Sequence, residues 1–191
     1  MATVESFKTP PRELYTLLSE HLPLSVTLTR RLQFTALPGG STSHSRVLFA
    51  STEGKLASSP KSFTAAYLDI SGGPDTQMVL YSTAESDVPG DYVSQFQALV
   101  AECIKIRQSY GKTHYGGSVL LGSLDSKSQA FLETISGRVQ SRSTGEYNKF
   151  FFDVDKIPDT TTALPEGMTW GTGTLDDCKV VVSRTDIPRP A

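Results

Sequence analysis

The stretch that most constrains this fold is residues 63–83, FTAAYLDISGGPDTQMVLYST. Two runs rich in β-branched and aromatic residues, Phe63–Ile70 and Gln77–Thr83, flank the hexapeptide Ser71-Gly72-Gly73-Pro74-Asp75-Thr76. Glycine permits positive φ, proline fixes φ near its turn value, and Asp or Thr side chains bond local amides. The whole reads as a β-hairpin. In the first arm Phe63, Ala65 and Tyr67 alternate with Ala66, Leu68 and Ile70, so both faces are apolar. Such a strand belongs inside a sheet covered on both sides.

The remaining elements follow from periodicity and caps. Thr9, Pro10 and Pro11 predict a helix start with a hydroxyl cap. Leu14, Leu17 and Leu18 then give a short amphipathic helix over 11–20. After Pro23, Leu24, Leu28, Leu32 and Ala36 mark one face of a second apolar stretch, with Arg30 and Arg31 off the stripe as solvated charges. Arg46–Ser51 (RVLFAS) reads as a strand preceding the hairpin, which predicts an antiparallel meander. Asp91 is the expected N-cap of the strongest helix, running to about Ser109 and stopping near Gly111. Its predicted buried stripe is Val93, Phe96, Val100, Cys103 and Ile104, widened by Leu99 and Ile106.

Val119–Leu121 follows as a short strand. A second helix, capped by Asp125, carries Ala130, Phe131, Leu132 and Ile135 and stops at Gly137. Tyr147–Val154 (YNKFFFDV) and the weaker Met168–Thr174 (MTWGTGT, with the only tryptophan, Trp170) are predicted strands, and Asp176 is the expected cap of a last helix. The fold expected is therefore α/β (α+β): a mostly antiparallel, mixed sheet of five to seven strands with packed helices, the 91–109 helix lying across it. Residues 1–160 read as one domain, and 161–191 as a linker opening a further unit that looks cut short.

Composition excludes several function classes. A net charge of −2 supplies no general attraction to nucleic acid or anionic lipid. No apolar run approaches the ~20 residues of a transmembrane helix. The start, MATVESFKTPP, lacks the basic and apolar regions of a signal peptide. Cys103 and Cys178 are far apart without metal-ligand spacing, which makes a reducing, cytoplasmic setting the expectation. Cys103 sits on a helix stripe as a small buried hydrophobe.

No P-loop, dinucleotide fingerprint, zinc-ligand pair or GxSxG elbow is present. His21, His44 and His114 lack partners at metal spacing, and no nucleophile or orienting carboxylate is placed beside them, so no metal is expected. Arg138, Arg142 and Lys149 interleave with Tyr147 and the Phe run in a loosely base-stacking pattern, but Asp153 and Asp155 oppose a nucleic-acid reading. Tyr115-Gly116-Gly117-Ser118 reads as a turn in preference to a phosphate cradle.

Three stretches carry a family resemblance: Leu22–Phe34 (LPLSVTLTRRLQF), Phe63–Glu85 (FTAAYLDISGGPDTQMVLYSTAE) and Leu164–Arg189 (LPEGMTWGTGTLDDCKVVVSRTDIPR). In that order the chain resembles the N-terminal half of fungal GNAT-superfamily acyltransferases of the glycine N-acyltransferase-like group. The resemblance implies an acyltransferase-family protein using acyl-CoA as donor and a small-molecule amine as acceptor. It also implies that the CoA loop, Q/R-x-x-G-x-G/A at a helix N-terminus, lies in the family's other half. Arg142–Tyr147 and Gln108–Thr113 meet the start of that pattern and fail at its last glycine. No catalytic, cofactor-binding or metal-binding residue is therefore assigned. The alternative is a non-catalytic module, derived from an acyltransferase N-terminal domain, that binds a ligand or a partner. An exposed sheet edge would suit a homodimer.

Overall fold

The computed structural model describes residues 1–71, 76–110, 118–135, 139–140, 150, 153–156, 164–169 and 171–184. The chain divides into two compact units, Met1–Gly145 and Glu146–Ala191.

The first unit is built on a four-stranded antiparallel sheet in the order β1-β2-β3-β4. Its strands are β1 (Thr3–Phe7), β2 (Ser45–Ser51), β3 (Thr64–Asp69) and β4 (Met78–Ser82). Register follows the meander: Leu48 lies opposite Ala66 and Ala66 opposite Leu80, while Phe49 lies opposite Ala65 and Ala65 opposite Tyr81. Every residue of β3 is buried. The hairpin is closed at its turn end by Asp69 N donating to Gln77 O at 2.7 Å. Its turn residues 72–75 lie outside the described residues.

The two faces of the sheet carry separate cores. On one, Val47, Phe49, Phe63, Ala65, Tyr67 and Tyr81 pack against Leu14, Leu17 and Leu18 of α1 (Arg12–Ser19) and Leu28 and Leu32 of α2 (Val26–Phe34). On the other, Leu48, Ala66, Leu68, Met78 and Leu80 pack against Phe96, Leu99 and Cys103 of α3 (Tyr92–Tyr110) and Leu132 of α4 (Ser126–Ile135). The period of two in the strands supplies one apolar set to each face. The result is a three-layer α+β unit with an interior sheet, as the hairpin requires.

Several elements differ from the sequence expectation. β1 carries only Val4 and Phe7 as apolar residues, too few to read as a strand, yet pairs with all of 47–51. Pro11, not Thr9, occupies the N-cap of α1, extended at φ −67 and ψ 149, and no side chain caps that helix. Leu24 and Ala36 fall outside α2 and are exposed, and Thr29 joins Leu28 and Leu32 on the buried face.

In α3 the buried face is Tyr92, Gln95, Phe96, Leu99 and Cys103, while Val93 and Ile104 of the predicted stripe are 38% and 45% exposed. The helix is apolar around much of its girth, so periodicity alone leaves its rotation open by about one residue. Asp91 does cap it, accepting from Ser94 N at 3.1 Å. Asp125 likewise opens α4, accepting from Lys127 N at 2.8 Å.

The described residues form four strands where five to seven are expected. Val119–Leu121 makes an isolated parallel bridge from Leu121 to Met78 instead of a strand. There Leu120 O accepts from both Gln77 N (3.0 Å) and Met78 N (3.1 Å). In the second unit, the described part of Met168–Thr174 has no strand, and Val154 belongs to a 3-10 turn, Val154–Lys156. The rest of Tyr147–Val154 lies outside the described residues, apart from Asp153 and Phe150, which is 83% exposed. Trp170 is also outside them. The last helix, α5 (Leu175–Ser183), is capped by Thr174, not Asp176. Thr174 Oγ1 accepts from Asp177 N (3.2 Å) and Asp177 Oδ2 from Thr174 N (2.7 Å).

Two substitutions in α3 test its facing. Leu99→Ala, at a fully buried position, should lose about 2–5 kcal/mol in urea unfolding, whereas exposed Val93→Ala should lose under about 1 kcal/mol. Similar losses for the two would contradict the rotation of α3 described here.

Candidate functional site

A surface groove lies among the described residues where β4 leaves the sheet. Ser82 ends β4 in an extended conformation and caps a single 3-10 turn, Thr83–Ser86. Its hydroxyl accepts from Ala84 N (3.3 Å), and Glu85 Oε1 accepts from Ser82 N (3.2 Å). This is a capping box, the physical content of the Ser-x-x-Glu spacing in Ser82-Thr83-Ala84-Glu85. Ser128 of α4 donates to the same Glu85 oxygen at 3.0 Å, tying α4 to the turn.

Thr83 fixes the other side. Its Oγ1 accepts from Phe63 N (3.0 Å) and lies 2.9 Å from Tyr92 Oη, which donates to Val88 O at 2.5 Å. Behind it, fully buried Gln95 donates to Ser62 Oγ (2.7 Å) and accepts from Thr64 Oγ1 (2.9 Å). Gly90 crosses Ser62 so closely that an added Cβ would collide with the serine hydroxyl. Sheet, turn and α3 are thus locked by hydrogen bonds whose buried members are all satisfied among the described residues.

Between this turn and α4 lies an open groove of about 450 Å³, with Ala84, Val88, Pro89, Tyr92, Ala130 and Phe131 in its lining. Its volume falls within the roughly 300–1,000 Å³ typical of small-molecule sites. Tyr92, Phe96 and Phe131 form an aromatic cluster beneath it, with ring centroids 5.5 and 5.8 Å apart. At the rim Lys127 Nζ donates to Asp87 Oδ1 at 2.6 Å, a largely exposed pair that solvent screens.

The N-terminus of α3 beside the groove is not open to an anion. Asp91 occupies it, and the hydrogen bond from Ser94 holds its carboxyl below the usual range. Glu85 and Asp87 add negative charge nearby. The groove therefore suits an apolar group, not a diphosphate.

The residues singled out from sequence are scattered. His21 packs its ring against Phe63 (5.4 Å) and Tyr81 (5.7 Å), and burial lowers its pKa. His44 is exposed, its ring edge-on to Tyr110 at 4.4 Å. Burial pushes the Cys103 thiol up to about 12, while Cys178 is exposed. Gln108 lies near the C-terminal end of α3, which is the wrong end of a helix for a phosphate loop.

His114, Arg138, Arg142, Tyr147, Lys149, the 111–117 segment and Gly145 lie outside the described residues. Among the described residues no group of His, Cys, Asp or Glu is arranged to hold a metal, and no helix is long and apolar enough to cross a membrane. The groove itself escaped sequence reasoning, because its lining is split between 84–92 and 127–131. Its one local signal was the Ser-x-x-Glu spacing.

Two measurements check these environments. Because the folded pKa of His21 is lowered, the unfolded state binds more protons once pH falls below about 6.5, and stability should fall on acidification. His21→Phe should flatten the slope of unfolding free energy between about pH 6.5 and 5; an unchanged slope would contradict the partly buried setting of this histidine. A thiol reagent should titrate Cys178 in the native protein and Cys103 only after denaturation.

Comparison with known proteins adds one finding. The family model described as Acyl-CoA N-acyltransferase verG N-terminal domain matches residues 2–150. No curated protein and no solved structure matches. The match spans the whole sheet and the groove and stops short of the Leu164–Arg189 stretch. With most of its length matched, the chain belongs to the Acyl-CoA N-acyltransferase verG N-terminal domain family and carries its acyltransferase-like character.

Proposed function

We propose that this chain serves N-acyl transfer from acyl-CoA to a small-molecule amine. The observation that carries the reading is the family match over residues 2–150. In such a transfer the amine nitrogen attacks the thioester carbonyl, a C–N bond forms, the C–S bond breaks, the CoA thiol leaves, and the nitrogen gives up one proton. The groove beside α4 supports an acyl-binding part for this domain. Its apolar lining of Ala84, Val88, Pro89 and Phe131 matches a hydrocarbon chain in character and size. The neighbouring helix end does not fit the donor's diphosphate, since Asp91 already takes its amide. In this reading the charged end of the donor is held away from α3.

That same self-capped helix favours a second reading: a non-catalytic module, derived from an acyltransferase N-terminal domain, that binds a ligand or partner.

Calorimetric titration of the 191-residue protein with acetyl-CoA and a longer acyl-CoA separates the two. The first reading predicts saturable 1:1 binding, near micromolar for the longer chain (about −8 kcal/mol) and weaker for acetyl. No heat with either donor, from a folded sample, would overturn donor binding by this chain and leave the second reading.

A further inference from the structure

On the opposite side of the sheet from the groove, Arg31 departs most clearly from its sequence expectation. Its neighbour Arg30 is exposed and donates to Gln33 Oε1 at 3.0 Å. Arg31 instead folds onto the sheet. Its guanidinium stacks over the Tyr67 ring at 4.1 Å and lies 5.3 Å from the Phe34 ring centroid. Nη2 donates to Tyr67 Oη at 2.7 Å. Two rings and one hydrogen bond therefore fix a planar cation that is free to wander in most surface arginines.

Among the described residues Arg31 forms no ion pair. The nearest buried carboxylate, Asp69, is already served. It accepts from Thr42 Oγ1 (3.1 and 2.9 Å), Ser71 N (3.0 Å), Ser71 Oγ (2.6 Å) and, at 3.4 Å, Tyr67 Oη. The α2 sequence VTLTRRLQF contains no acid to offset either arginine.

A structural role at the C-terminal end of α2 would use Arg31 to bond the last carbonyls. Those carbonyls are taken: Leu32 O by Thr35 N (3.1 Å), Gln33 O by Ala36 N (3.1 Å) and Phe34 O by Leu37 N (3.0 Å). A guanidinium has five N–H donors in a planar fork, and one is used here. A guanidinium stacked over a ring keeps its N–H donors in its own plane, and Arg31 makes this stack on Tyr67.

We propose that the edge of Arg31, clamped by Tyr67 and Phe34, is an oxyanion-binding site for a carboxylate or phosphate group of a ligand. The fork geometry matches either oxyanion in a bidentate pair. The ordering of the side chain has been met in advance by the stack, which is the condition under which a single arginine binds usefully. The site does not depend on the acyltransferase reading.

The test follows the Arg31 Nε–H signal by NMR in the 191-residue protein, assigned by its loss in Arg31→Lys. Benzoate, benzamide and inorganic phosphate are the probes. The expected result is a saturable shift with benzoate, phosphate or both, and none with benzamide; the responding anion tells a carboxylate site from a phosphate site. Arg31→Met should abolish binding, monitored on neighbouring amides of α2, and Arg31→Lys should weaken it about tenfold, since an ammonium keeps the charge without the fork. Phe34→Leu, an exposed change that spares the fold, should weaken it several-fold. A folded wild-type protein whose Arg31 signal ignores both anions would overturn the proposal. So would binding that survives unchanged in Arg31→Lys and Phe34→Leu, should Arg31→Met fail to fold.

Discussion

The structure depends on burying two opposite faces of the same strands. Leu48 and Phe49 are adjacent in β2 and point into different cores, as do Ala66 and Tyr67 in β3. Neither face can be left wet, so α1 and α2 must cover one and α3 and α4 the other. Register is correspondingly strict, because a one-residue slip would exchange the two apolar sets and set Tyr67 against α3. The small side chains Ala65 and Ala66 at the centre of β3, both fully buried, let the flanking aromatic and Leu residues approach.

That demand also creates the groove. Once α3 crosses the sheet, the chain must turn sharply from β4, and the Ser82–Glu85 capping box makes the turn within one 3-10 element. Ser128 reaches back to Glu85, which sets α4 beside the turn with Phe131 over Tyr92. A cleft is left between them that is apolar at its base and carries an ion pair at its rim. The hydrogen bonds of Gln95 with Thr64 and Ser62 tie α3 to the sheet, so the cleft lies between elements that are fastened to one another.

Much of this was legible in the sequence, for reasons that vary by residue. The hairpin, the order α1, α2, β2, β3, β4, α3, α4 and the caps Asp91 and Asp125 follow from local chemistry, and local chemistry reads well. β1 was missed because an edge strand with one partner can be polar: Glu5 in TVESF serves by accepting from Leu56 N at 2.6 Å, fifty-one residues away. Gln95 is fully buried although a glutamine adds nothing to an apolar stripe, because its partners, Ser62 and Thr64, precede it by about thirty residues. Arg31 read as solvated for the same reason, since Tyr67 reaches it only after the meander closes. Non-local polar pairs are invisible to periodicity: Arg31–Tyr67 is one, and the Ser128–Glu85 bond that ties α4 to the turn beside the groove is another.

The family match shows acyltransferase-like character, and the groove is the place we propose for the acyl chain. Hydrogen exchange of the 191-residue protein, with and without a long-chain acyl-CoA, tests that placement most directly. The account predicts slowed exchange in 84–92 and 127–131, with the amides of α1 and α2 unchanged. Protection that spares both groove segments while appearing elsewhere would contradict it.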